Sequence, residues 1–318
     1  MKKKLISVAA LMSASVLVLA GCAAEPEEPA ADALSGSILI DGSSTVGPAS
    51  EIAAELFMEV NSGVRVAVNQ SGTGGGFEKF CNGETDASNA SREIKEEEAA
   101  LCDAAGIKYD FVTVANDALS VVVNKDNPLV CITTDQLATI WNADAAGSIM
   151  NWGDVDGMPD AIADVELQLF GPGTDSGTFD FFTAEINGEE GNIRNDYTNI
   201  GEDDLLAVEG VSGSAGGMGF IPFSYYQEYQ DEVKALEVDS GSGCVAPTVE
   251  NVQAGTYTPL GRALYTYFAS TALARPEVLA FARFLVEETE LINTEAGYVG
   301  LTPAQQTEAL AKIDSLIQ

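Results

Sequence analysis

Histidine is absent from all 318 residues. Its absence removes the usual general base near neutral pH and the commonest metal ligand. Ser-His-Asp and Cys-His enzymes are excluded, although carboxylate chemistry is not. Positive charge is scarce: 15 Lys and Arg stand against 49 Asp and Glu, for a formal net charge of −34. Such a surface repels nucleic acid and anionic headgroups, so nucleic acid is not an expected partner. Cysteines are few, none has CxxC spacing, and no His could assist them. No metal site and no cofactor are therefore expected. Beyond the first twenty residues, no run approaches the length of a membrane span.

Those first residues are a leader. Lys2, Lys3 and Lys4 precede an apolar stretch from Leu5 to Ala20, too short to span a bilayer comfortably. It ends in Leu19-Ala20-Gly21-Cys22, which resembles a bacterial lipobox. Residues 1–21 are read as a lipoprotein signal peptide and Cys22 as the lipidated first residue of the mature chain. The Ala/Glu/Pro-rich segment 22–35 lacks an apolar period and reads as a disordered tether. Four cysteines remain: Cys81, Cys102, Cys131 and Cys244. In an exported protein an even count suggests disulfides, and three pairings are open. Cys81 and Cys102 flank one short loop-and-helix segment and are the expected local pair, which leaves Cys131 with Cys244.

One pattern recurs along the chain. Ile38–Ile40 reads as a strand, Gly42-Ser43-Ser44-Thr45-Val46 as a loop, and Ile52, Ala53, Leu56, Phe57 and Val60 as one face of a helix. Val64, Val66 and Val68 alternate as a strand ahead of Ser71-Gly72-Thr73-Gly74-Gly75-Gly76 and a helix over Phe77–Cys81. Leu167–Phe170 leads into Gly171-Pro172-Gly173-Thr174-Asp175-Ser176-Gly177-Thr178 and a helix marked by Phe179, Phe182, Thr183 and Ile186. Phe111–Val114 and Leu119–Val123 read as separate strands around Ala115-Asn116-Asp117. Two amphipathic helices, Pro276–Glu290 and Pro303–Ile317, close the chain. This is α/β construction with a parallel sheet.

Helix N-termini offer unpaired N–H groups and a partial positive charge. Small residues admit an oxyanion to that backbone, and Ser and Thr add donors. A single such loop is usually only an N-cap; three in one chain point to an anion site. Nucleotide-binding loops do not fit. Ser176 and Gly177 stand where a Walker A motif needs Gly and Lys, and Phe77 stands where GxGxxG needs its last Gly.

Taken together, GSSTVGP at 42–48, SGTGGGFEKFCNGETDASNASREI at 71–94, LATIW at 137–141, GPGTDSGTFDFF at 171–182 and PLGRALYTY at 259–267 resemble the PstS-type phosphate-binding lipoproteins of bacterial ABC importers. The likeness covers most of the mature chain. It implies a two-lobed periplasmic-binding-protein fold (type II-like) with phosphate held in a cleft between lobes. Lobe one would comprise 36–115 and 258–318, and lobe two 116–257, with crossings near Ala115–Asp117 and Gly255–Pro259. It implies a monomeric receptor, not an enzyme, that hands phosphate to a membrane permease while Cys22 holds it to the bilayer.

Carried over residue by residue, Ser44, Thr45 and the Val46 backbone match the first phosphate loop. Ser71, Gly72 and Thr73 match the second, and Ser176, Gly177 and Thr178 the third; Ser91 adjoins Arg92. Two positions depart from the best-known members. Arg92 stands where those have an acidic residue, and Pro172 where they have an arginine. The cationic contact is therefore expected at Arg92, which can fork two bonds to phosphate. Asp175 is the candidate acceptor for the proton that hydrogen phosphate carries and sulfate lacks. The bland alternatives are a surface ion pair of Arg92 with Glu93 or Glu96, and a capping role for Asp175. Arg194 either lines the cleft or forms an ion pair; Trp141 and Trp152 are expected in the core. Competing functions are a receptor for arsenate, sulfate or molybdate, and a secreted phosphohydrolase. The Glu202-Asp203-Asp204 run is the acidic cluster such an enzyme would need.

Overall fold

A computed structural model describes residues 34–174 and 176–316. The leader, Cys22, nearly all of the tether, and Asp175 lie outside the described residues. The chain opens with β1 (Ser35–Gly42), α1 (Gly47–Val60), β2 (Gly63–Val68), α2 (Gly72–Cys81), β3 (Ala87–Ala90) and α3 (Glu96–Ala105). Strands β1, β2 and β3 pair in parallel, so each strand feeds its following helix from the same sheet edge. The helices begin as the sequence dictates. Pro48 sits in the first turn of α1, where a missing N–H costs nothing. Gly106 closes α3 at φ 71°, a conformation glycine adopts without Cβ strain.

The next strand, β4, runs unbroken from Tyr109 to Asn124. The sequence reads as two strands around Ala115-Asn116-Asp117, because the apolar runs Phe111–Val114 and Leu119–Val123 stop short of it on either side. Tertiary pairing overrides that local preference. The antiparallel strand β12 (Gly261–Ala269) pairs Leu264, Ala263 and Arg262 with Ala115, Asn116 and Asp117, and Asn116 bridges Val299.

Beyond β4 come β5 (Cys131–Thr133), α4 (Thr134–Trp141), β6 (Gln168–Gly171), α5 (Gly177–Asn187), β7 (Thr198–Asn199), α6 (Asp204–Gly213), β8 (Gly217–Pro222), α7 (Phe223–Tyr229), β9 (Val233–Ala235), β10 (Glu237–Asp239), β11 (Cys244–Val245) and α8 (Val249–Gln253). The chain returns through β12 (Gly261–Ala269), α9 (Ser270–Leu273), α10 (Pro276–Glu287), α11 (Thr289–Ala296) and α12 (Pro303–Leu316). The single helix expected over Pro276–Glu290 thus ends at Glu287, with Glu288 at the junction to α11.

Strands run β2-β1-β3-β12-β4-β8-β6-β7 across one curled sheet, and the first half of β4 serves one lobe while its second half serves the other. The cores follow this division. One gathers Ile38, Phe57, Phe77, Phe80, Val112, Leu264, Tyr267 and Phe281. The other gathers Val121, Val123, Trp141, Trp152, Phe182 and Phe220. Both Trp residues are fully buried there. Val122 points to the opposite face and packs with Val208, Val211 and Ile221. The alternation along Val121-Val122-Val123 is the two-residue period of a strand covered on both faces. Disulfides join Cys81 to Cys102 and Cys131 to Cys244.

Candidate functional site

Three helix starts meet around one cavity of about 430 Å³. Ser44 and Thr45 lead into α1, Gly72 and Thr73 open α2, and Gly177 opens α5; all line it. Ser91 and Arg92, immediately after β3, complete the same wall. The placement is at the carboxyl ends of parallel strands, where α/β folds position ligands.

Glycine makes this convergence possible. A Cβ on Gly76 would stand 2.4 Å from Gly42 Cα, so α2 can only lie this close to β1 without a side chain there. Gly72, at φ +78°, faces open space at the cavity. A Cβ on Gly177 would stand 3.3 Å from Thr45 Oγ1, which measures how nearly the two lobes touch.

The donors are partly pre-arranged. Thr73 Oγ1 lies 3.1 Å from Ser91 Oγ and accepts the Ser91 N–H at 3.3 Å. Two hydroxyls sharing one bond leave one proton free for a ligand. Arg92 forms a forked pair with Glu98, at 2.8 and 2.7 Å, rather than with Glu93 or Glu96 side chains. That pair raises the Arg92 pKa. Burial works against the Glu98 carboxylate, but Arg92 and the Lys95 N–H outweigh it and hold its pKa below the usual range.

Several residues expected at the ligand stand one step back. The Val46 side chain is wholly buried and its N–H points to Ser43 Oγ at 3.4 Å. Ser71 donates to Asp41 Oδ1 at 2.7 Å, and Lys79 pairs with the other oxygen at 2.5 Å; Ser71 thus anchors α2 to β1. Ser176 Oγ accepts the Thr178 N–H at 3.2 Å as the N-cap of α5. Thr178 lines a neighbouring cavity of about 490 Å³ that shares Ser44, Thr45 and Gly177 with the first. The suggestion that Arg194 lines the cleft is corrected. It is 3% exposed, pairs with Asp196 at 2.6 Å and donates to the Ile140 and Ile149 carbonyls. A buried guanidinium needs acceptors on every side, and the fold supplies them away from the cavity.

Sequence reasoning missed Arg262, Lys95, Phe181 and the carboxylates Asp180, Glu185 and Glu190, all of which line the cavity. Arg92 is therefore not its only cation. Arg262 lies inside the PLGRALYTY landmark, yet nothing local marks it: its partner Asp117 is 145 positions away. The α5 acids have a clearer signal, since Asp180 and Glu185 follow Gly177 at helical spacing.

Burial, reinforced by Glu190, pushes the Asp180 carboxyl above its usual pKa. The folded state then binds more protons than the unfolded chain just above the ordinary Asp range, so Asp180 lowers stability as pH rises through that window. Asp180→Asn is expected to raise Tm at pH 7 and to leave it unchanged below the ordinary Asp pKa of about 3.9. It should also tighten binding of an anion. A tenfold weakening by calorimetry would instead make Asp180 a direct acceptor for the ligand.

Residues 26–289 match the model of the PBP superfamily domain. SphX of Synechococcus elongatus is 42% identical over 309 residues, covering 96% of this chain and 90% of SphX. The phosphate-binding protein PstS of Staphylococcus saprophyticus is 36% identical over 285 residues, covering 89% and 86%. The crystal structure of a possible phosphate-binding protein from Planctomyces limnophilus superposes with a TM-score of 0.82 at 39% identity, covering 90% of this chain and all of that one. The fold is that of the periplasmic binding proteins, and the chain belongs to the PBP superfamily, in one family with SphX and PstS.

Proposed function

We propose that this protein is an extracytoplasmic receptor that binds inorganic phosphate and delivers it to the permease of an ABC importer. The observation that carries this reading is the meeting of three helix N-termini with the Arg92 guanidinium around one cavity. Backbone N–H groups and small hydroxyls suit a compact tetrahedral oxyanion. The family supports the same ligand, since relatives at 36% identity are phosphate-binding proteins by name. Bulk negative charge does not oppose it: exposed charge is screened within about 8–10 Å at physiological salt, while cleft dipoles act at contact.

Phosphate would be held between lobe one, 36–115 with 258–318, and lobe two, 116–257. Ser44, Thr45, Gly72, Thr73, Ser91, Arg92 and Gly177 would touch it. Ser71, Ser176 and the Val46 backbone would position those loops. Asp175 remains the proposed acceptor of the phosphate proton. The protein works by binding and release without turnover. In the Glu202-Asp203-Asp204 run, Asp203 caps α6 by accepting the Leu205 N–H at 3.2 Å. Among the described residues the metal-capable grouping is Cys131, Glu237 and Cys244, and its two sulfurs form a disulfide.

Titration calorimetry with phosphate, sulfate and arsenate tests the reading. Phosphate heat that sulfate does not compete away is expected. Tighter binding of sulfate or molybdate would make this a receptor for a different oxyanion.

Anchoring is a separate proposal and rests on the leader alone. Two acyl chains hold a protein firmly where one does not, so a diacylglyceryl group on Cys22 would keep the receptor at the membrane as a monomer. Cys22→Ala is expected to move it to the soluble fraction after cell fractionation. Retention of that variant in the membrane pellet would remove Cys22 as the anchor.

A further inference from the structure

Arg262 stands where the chain passes between lobes. Its register partner across β4 and β12 is Asp117, and the two side chains pair at 3.1 Å. On either side of this point the strands divide between cores. Ala115 and Leu264 belong to the first, and Ala118 and Leu260 to the second. The Arg262–Asp117 pair therefore sits on the crossing itself.

From that crossing the guanidinium reaches both lobes. Nη2 donates to Thr45 Oγ1 of the first lobe at 3.2 Å. Cζ lies 3.6 Å from the ring centroid of Phe181, on α5 of the second. The same residue faces the cavity. Arg92 differs in kind. Its forked partner Glu98 and the Phe77 ring 5.9 Å away both belong to the first lobe. Arg92 can meet an anion whether or not the lobes have come together, whereas the Phe181 contact of Arg262 forms only when α5 has approached the first lobe.

We propose that Arg262 is a second ligand-facing cation and the latch that couples occupancy of the cleft to lobe closure. The inference rests on the phosphate reading above. An anion in the cavity displaces water from the guanidinium, and a desolvated cation interacts more strongly with an aromatic face. The bound anion thus favours the arrangement in which Phe181 covers Arg262. By linkage, closure raises affinity for the anion to the same degree.

The test uses the full chain purified in detergent, inorganic phosphate as the probe, calorimetry for affinity, and hydrogen–deuterium exchange for closure. In the unsubstituted protein, phosphate is expected to protect peptides at both 42–47 and 177–187. Phe181→Leu should keep protection at 42–47, lose most of it at 177–187, and raise Kd about fivefold. Phe181→Tyr, which retains the ring, should restore both. Arg262→Gln should raise Kd at least about tenfold and lose protection at 177–187. The latch is overturned if Phe181→Leu and Arg262→Gln bind phosphate within about twofold of the parent and keep full protection at 177–187. Absence of phosphate heat in the unsubstituted protein would overturn the phosphate reading itself, and the latch with it.

Discussion

Arg92→Ala weakens phosphate binding by about 10²–10³-fold, the largest loss expected from any single truncation in the loops. Two effects add. The anion loses a guanidinium on the cavity wall. Glu98, whose side chain is only 12% exposed, keeps its negative charge with no guanidinium to neutralise it. Glu98→Gln gives the converse. Gln still caps α3 by accepting the Lys95 N–H, while the site loses a negative charge beside Arg92, so affinity should hold or rise. Thr178→Ala should cost less, about 1 kcal/mol or below, since Thr178 lines the neighbouring cavity. Calorimetry on variants that keep native circular dichroism checks this order. Wild-type affinity in Arg92→Ala would transfer the cationic role to Arg262.

Removing the Cys131–Cys244 disulfide is the second large effect, and it falls on stability rather than binding. The bond closes a loop with a sequence separation of 113 residues. On the chain-entropy argument such a loop stabilises by about 4–5 kcal/mol. Cys244 is exposed and Cys131 half-buried, so a Cys131→Ala/Cys244→Ala variant loses little packing and isolates the cross-link. Its denaturant midpoint should fall sharply while phosphate affinity stays unchanged, because neither residue lines the cavity. An unmoved midpoint would show that the unfolded lobe is already restrained by other means.

Local sequence was sufficient wherever a signal and its consequence lie within a few residues. Alternation at Val64, Val66 and Val68 follows the inward face of β2, and Pro48 marks where α1 begins. Helix α2 begins at Gly72 rather than Phe77 even though glycines are poor helix formers alone; of its glycines, Gly76 is the one that packs against Gly42 at the end of β1. Ala115-Asn116-Asp117 misled for the opposite reason. A break in the apolar pattern yields to hydrogen bonds supplied by β12 from far along the chain.

The sequence by itself determined an α/β chain, three small-residue loops at helix starts, and a scarcity of positive charge that makes each cleft cation conspicuous. Only the tertiary structure decided which groups face the ligand. Ser71 and Arg194 look like ligand residues in sequence, yet Asp41 and Asp196 engage them elsewhere. Arg262 looks like an ordinary strand residue, yet pairing with Asp117 places its guanidinium between Thr45 and Phe181. The physical reason is range. Caps, turns and periodicity are set by neighbours a few positions apart. The direction of a charged side chain is set by whichever acceptors the fold brings within about 3 Å, and those come from anywhere in the chain.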